Sequence, residues 1–95
     1  MADARCELCE REVPRTTVHH LTPKSTARRK GLKIAGLPTA ELCPPCHKQL
    51  HVLFPNDELA QRLDSIPALR EEERVASFLR WLRKQPGSKG VRVRR

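Results

Sequence analysis

The chain has 95 residues, an apolar share of 38% and a formal net charge of +8, from 19 lysines and arginines against 11 aspartates and glutamates. That length fits one small domain, and a core whose aromatics are Phe54, Phe78 and Trp81 is too thin to hold a fold without a metal or disulfide staple. No stretch approaches the roughly 18 apolar residues of a membrane helix, and "MADARCELCE" has no apolar secretory segment, so the expectation is a cytoplasmic protein with no membrane partner.

The first predicted element is the turn of Cys6-x-x-Cys9, followed by "RTTVHHL", where the β-branched run Thr16, Thr17, Val18 predicts a short strand that Pro23 ends. "KSTARRKGLKIAGLP", Lys24 to Pro38, lacks clean periodicity and reads as a basic loop, with a second strand near Leu32 to Ala35. In "CPPCHKQLH" and beyond, His47, Leu50, His51 and Phe54 recur at helical spacing until Pro55 stops the helix. Asn56 or Asp57 caps a second helix, with Leu59, Leu63 and Ile66 on one face. Pro67 fits the first turn of a last helix, in which Leu69, Val75, Phe78, Leu79 and Leu82 form the apolar stripe and "REEER" is solvated. Trp81 is expected at the core or its rim, and "QPGSKGVRVRR" has no apolar face to bury and reads as a basic disordered tail.

Cys43, Cys46, His47 and His51 put four metal-ligand side chains into nine residues, and they do not serve one ion. On a helix each residue advances about 100°, so His47 and His51 share a face while Cys46 and His47 point apart. A two-Cys, two-His finger needs about a dozen residues between its pairs, and here His47 follows Cys46 directly. Cys43 and Cys46 therefore pair with Cys6 and Cys9 in a tetrahedral thiolate site for a structural zinc, since cytoplasmic thiols stay reduced. A redox Cys-x-x-Cys is the competing reading, but it does not explain two such pairs. His47 and His51 are left for a second ion. His19 and His20 are neighbours on the predicted strand, facing opposite sides, so one of them can complete a three-histidine site while the other reaches reacting water at its rim.

Cys-x-x-Cys, a strand ending in "VHHLTP", a basic loop, then "LCPPCHKQLH" opening a helix: this order resembles the HNH nuclease family, in its branch with a four-cysteine zinc. The resemblance covers residues 5 to 54. It implies a small α+β fold, a ββα-metal core stapled by the structural zinc and followed by C-terminal helices. Residues 1–84 would form one nuclease domain, with the motif core at 5–54, supporting helices at 57–84 and the basic tail at 85–95. It further implies hydrolysis of a DNA phosphodiester, with His20 as general base and His19, His47 and His51 as ligands of the catalytic metal. The reverse assignment of His19 and His20 is the alternative. Three imidazoles and no carboxylate suit Zn²⁺, Ni²⁺, Co²⁺ or Mn²⁺, and Mg²⁺ also serves when phosphate and water fill its shell.

Two departures stand out. Where the family has its middle Asn, this chain has Pro38 and then Thr39, so Thr39 is the residue with a side-chain hydroxyl to offer there. Glu10 follows Cys9 where such knuckles commonly have glycine, so the turn must tolerate a Cβ.

The charge is placed to match. Residues 57–84 carry six acidic and six basic side chains, whereas residues 1–56 carry nine basic against five acidic. Lys24, Arg28, Arg29, Lys30 and Lys33 follow the histidine pair and are the candidate DNA-phosphate contacts, giving affinity without sequence readout. Lys89, Arg92, Arg94 and Arg95 add looser attraction. The competing function is a zinc-stapled DNA-binding module whose nuclease site has decayed.

Overall fold

The computed structural model describes residues 4–33 and 36–86. Two antiparallel strand pairs and five helices follow in the order β1 (Ala4–Arg5), β2 (Glu12–Val13), β3 (Thr17–His20), α1 (Lys24–Arg29), β4 (Thr39–Leu42), α2 (Pro44–Leu53), α3 (Asn56–Arg62), α4 (Ile66–Glu71) and α5 (Glu73–Leu82) among these residues. This is the small α+β fold expected, with short strands ahead of a helical C-terminal half.

β1 and β2 pair antiparallel around the first Cys-x-x-Cys turn, a hairpin too short to show in the sequence pattern. β3 pairs antiparallel with β4, in the register Thr17↔Leu42, Val18↔Glu41, His19↔Ala40 and His20↔Thr39. Alternation across this hairpin is sharp. His19, Ala40 and Leu42 are buried, whereas Val18, Glu41 and Thr39 are exposed. The helix α2 packs on β3, completing a ββα unit.

The second strand lies at Thr39–Leu42, not near Leu32 to Ala35. Leu32 and Lys33 are not in a strand, and residues 34–35 lie outside the described residues. Thr39–Leu42 alternates exposed and buried and runs straight into Cys43, so the core face of the strand selects it. The basic stretch is likewise not all loop. Lys24–Arg29 is helical, with Thr26 and Ala27 buried and Arg28 and Arg29 in the last turn, where cations favour the helix dipole. Its end is a Schellman motif: Gly31 sits at φ 72°, its N–H bonds the Arg28 carbonyl, and the Leu32 N–H bonds the Ala27 carbonyl.

The C-terminal helices also divide differently. α3 ends at Arg62, so Leu63 and Ile66 lie beyond it rather than on its face. The predicted last helix is two, α4 and α5, with the break at Glu72. Glu72 is not solvated: its side chain is 9% exposed, accepts the Arg74 N–H to cap α5, and lies 3.7 Å from Arg62. A carboxylate caps a new helix better than it continues an old one through a buried turn.

The helices α3 to α5 join the residues around the cysteine cluster in one core, where Leu8, Leu42, Leu50, Phe54, Leu59, Leu69, Val75 and Leu82 are buried together with the four cysteines. The Phe54 ring carries the Arg74 guanidinium 4.6 Å from its centroid, a cation–π lid that closes the core beneath α5. Trp81 is 46% exposed beside Phe78, a rim position. The tail from residue 87 onward lies outside the described residues.

Candidate metal centres

Cys6 and Cys9 are held by the turn that joins β1 to β2. The Cys6 N–H donates to the Arg11 carbonyl, the Glu10 N–H donates to the Cys6 carbonyl, and the Cys9 N–H approaches the Cys6 sulfur at 3.4 Å. Glu10 adopts φ 68°, the left-handed conformation for which a glycine is usual, so the knuckle closes despite the Cβ. Ion pairs of Glu10 with Arg70 and Arg83 fasten it to the C-terminal helices.

Cys43 and Cys46 come from the start of α2. Cys43 is the residue before the helix, Pro44 and Pro45 open it where a missing N–H is harmless, and Cys46 follows in the first turn. The sulfurs of all four cysteines lie within 4.8 Å of one another, and all four residues are buried and unbridged. Cys9 Sγ and Cys43 Sγ are 3.8 Å apart, which matches the edge of about 3.8 Å for a tetrahedron with sulfurs at 2.3 Å from a central zinc. Hydrogen bonding to Cys43 and Cys46 lowers the Cys6 thiol to about 6 and draws Cys9 down further, while the same contacts push Cys46 up. Four thiolates in contact cannot all ionise without a compensating cation, and a dication is what the donor set can hold.

Arg11 was not anticipated from the sequence. Its Nε lies 3.3 Å from Cys9 Sγ and its Nη2 3.5 Å from Cys43 Sγ, while Nη1 donates to the Gln85 and Pro86 carbonyls. One guanidinium thus offsets thiolate charge and pins the end of the described helical half to the knuckle. Its position two residues after a Cys-x-x-Cys was the available signal.

The second centre lies on the inner face of the ββα unit. β3 contributes His19, and α2 contributes His47 and His51 one turn apart. Their ligand atoms lie within 4.8 Å of one another, and their ring centroids are separated by 5.2, 5.5 and 5.1 Å. Three imidazoles on one tetrahedral ion, each with a metal–nitrogen bond of about 2.0–2.1 Å, place their centroids about 5 Å apart. His19 is 1% exposed, and among the described residues both its ring nitrogens are buried without a hydrogen-bond partner. Leaving such a group unpartnered costs about 1–3 kcal/mol, so a ligand is the natural complement. Burial, with His47 and His51 adding to it, pushes His19 down to about 4, and burial lowers His47 and His51 as well. The direction is the same at all three and favours the neutral form, the one that coordinates metal. The residues fit a divalent ion in both number and chemistry.

His20, the next residue, is partly exposed and pairs with exposed Thr39 on the other face of the hairpin. Pro38, without an N–H, still closes that hairpin: its carbonyl accepts from the Leu21 N–H at 3.1 Å. Thr17, two residues before His19 and so on the same face, reaches His47 Nδ1 at 2.7 Å, another contact not anticipated from the sequence. The candidate DNA contacts Lys24, Arg28 and Arg29 lie on α1, Lys30 caps it and Lys33 follows, and all five are exposed. Arg29 is already paired with Asp57 of α3 at 2.5 Å. Among the described residues no helix is long and apolar enough to cross a membrane.

The chain is similar to the "Uncharacterized protein YisB" of Bacillus subtilis (strain 168), with 46% identity over 90 residues, covering 95% of this chain and 84% of that protein. No solved structure matches it significantly. A family model described as HNH endonuclease matches residues 6–53, half of the chain, and the matched segment runs from the first zinc-ligand candidate to the end of α2. With a clustered four-cysteine site, a ββα unit and this match over the same residues, the chain belongs to the HNH endonuclease family.

Proposed function

We propose that the protein is a metal-dependent DNA endonuclease that hydrolyses phosphodiester bonds, working in the cytoplasm as one domain over residues 1–84. The observation that carries this reading is the split of two consecutive histidines: His19 is sealed into a three-imidazole cluster, and His20 is turned to the accessible face. That split favours His19 as ligand and His20 as base over the reverse.

His19, His47 and His51 would hold one divalent ion, and Cys6, Cys9, Cys43 and Cys46 a structural zinc. When bound, the first ion supplies charge neutralisation at the scissile phosphate and stabilises the departing 3′ oxygen. His20 accepts the proton of the attacking water at a ring nitrogen, and Thr39, its cross-strand partner, offers a hydroxyl to orient that ring. The zinc-stapled knuckle and the β3 strand against which α2 packs keep α2 rigid, so the two histidines it carries hold their spacing. Lys24, Arg28, Lys30 and Lys33 hold DNA phosphates beside the site, with Arg29 contributing once it leaves Asp57.

The second reading, a DNA-binding module with a decayed site, draws on Pro38–Thr39 in place of the family's Asn. Against it stands the cost of keeping His19 buried with unpartnered nitrogens, which a binding module has no reason to bear. Incubation of supercoiled plasmid with Mg²⁺, Mn²⁺, Co²⁺, Ni²⁺ or Zn²⁺, and with EDTA, separates the two. Nicking or linearisation with an added ion and none with EDTA supports the nuclease; salt-sensitive binding with no cleavage under any ion supports the module.

A further inference from the structure

The histidine cluster has a partner in the sheet that is neither a metal-ligand type nor part of the resemblance. Thr17 Oγ1 lies 2.7 Å from His47 Nδ1 and 3.3 Å from the Leu42 carbonyl oxygen, its cross-strand neighbour. Thr17 and His19 are two residues apart on β3, so the strand points both side chains at α2. The same strand therefore carries a ligand candidate and the residue that touches the next one.

We infer that Thr17 is a positioning residue that fixes the tautomer and ring orientation of His47, leaving its Nε2 as the nitrogen available to a divalent cation. The inference rests on the three-histidine metal site proposed above. A threonine hydroxyl has one hydrogen to give and two lone pairs with which to accept. The Leu42 carbonyl can only accept, so it takes the hydroxyl hydrogen. With the hydroxyl hydrogen placed there, a lone pair faces His47 Nδ1, and the ring carries its proton on that nitrogen and donates it to Thr17. Nε2 is left unprotonated, with its lone pair free. The relay runs from backbone carbonyl to hydroxyl to imidazole, so the hairpin register sets the ligand's orientation. His19, whose nitrogens have no partner among the described residues, is positioned by burial instead. Outer hydrogen bonds of this kind typically carry about 10–100-fold in metal affinity.

The test is calorimetric titration of Ni²⁺ into the full-length protein with zinc already bound at the cysteines, comparing wild type, Thr17→Val, Thr17→Ser and His47→Ala. Valine keeps the volume and the β-branch but loses the hydroxyl; serine keeps the hydroxyl. The expected result is Ni²⁺ affinity weakened about 10–100-fold in Thr17→Val and close to wild type in Thr17→Ser, with zinc content unchanged in both. Wild-type affinity in Thr17→Val would overturn the inference while leaving the metal site standing. Equal losses in both variants would also overturn it, assigning Thr17 a packing role. If wild type binds no more Ni²⁺ than His47→Ala, the three-histidine site itself fails, and this inference with it.

Discussion

His20 stands directly opposite Thr39 in the β3–β4 hairpin, while its neighbour His19 faces Ala40 on the buried side. One residue of register separates a group sealed among imidazoles from a group that water can reach. A slip by one would exchange them, and the register is held because Ala40 and Leu42 must be buried. The difference in exposure between the two histidines is therefore a consequence of core packing.

His19→Leu removes two unpartnered buried nitrogens and restores apolar packing, so the protein without an ion at the histidine site should become more stable, by about 1 kcal/mol. Its binding of Ni²⁺ or Co²⁺ should disappear. Denaturant unfolding of zinc-loaded protein, with metal titration alongside, checks both. A loss of stability together with retained binding would mean that His19 is a packing residue.

The four-cysteine site should behave in the opposite way. Cys43→Ala leaves three buried thiols around a site that binds zinc weakly, and a core this thin has little to replace the staple. The variant should lose its cooperative thermal transition and its stoichiometric zinc, whereas His47→Ala should keep both. Circular dichroism melting with zinc analysis gives the comparison.

Arg11→Met should cost about 2 kcal/mol, the scale of hydrogen bonds to charged groups, through loss of its contacts to Cys9, Cys43 and the carbonyls of Gln85 and Pro86. Zinc should also pass to a competing chelator faster than from wild type. Unchanged release with unchanged stability would show the guanidinium to be a bystander.

At Glu10 the backbone conformation, rather than the charge, should dominate. Glu10→Val places a β-branched residue at φ 68° and should destabilise the protein by about 1–2 kcal/mol, whereas Glu10→Gly relieves the turn and loses only exposed ion pairs. Glycine is expected within about 1 kcal/mol of wild type in zinc-saturated urea unfolding.

These residues also show what the sequence could and could not reveal. The two Cys pairs and the helical spacing of His47 and His51 are local facts about ligand type and distance along the chain, so both clusters were legible. The α1 helix was not, because six residues with two buried positions carry no periodicity; its signal was Gly31 placed to end a helix. The second strand was misplaced to Leu32–Ala35 because apolar content stood in for alternation, and Thr39–Leu42 is the segment that alternates. The break at Glu72 hid inside a charged run that looked solvated. Arg11 and Thr17 act across the fold, on a sulfur 32 residues away and a ring 30 residues away; for Arg11 the nearby Cys-x-x-Cys was a signal, whereas the reach of Thr17 to His47 shows only in three dimensions.

DNA binding should be steeply salt-dependent, with each phosphate-contacting cation contributing about one unit to the slope of log K against log salt. Arg28→Ala and Lys30→Ala should each reduce that slope, while Arg29→Ala should reduce it less, because Arg29 already neutralises Asp57. Fluorescence anisotropy across a salt series measures the slopes. Equal effects at all three positions would mean that the Arg29–Asp57 pair opens freely on DNA.

Plasmid cleavage by His20→Ala beside wild type, with bound metal counted in the same samples, decides whether this chain is a metal-dependent nuclease with His20 as its base. Wild type should nick or linearise the plasmid only with metal, and His20→Ala should not cleave it, with equal metal in both proteins. Cleavage by His20→Ala at the wild-type rate, or wild-type cleavage that persists in EDTA, would contradict that reading.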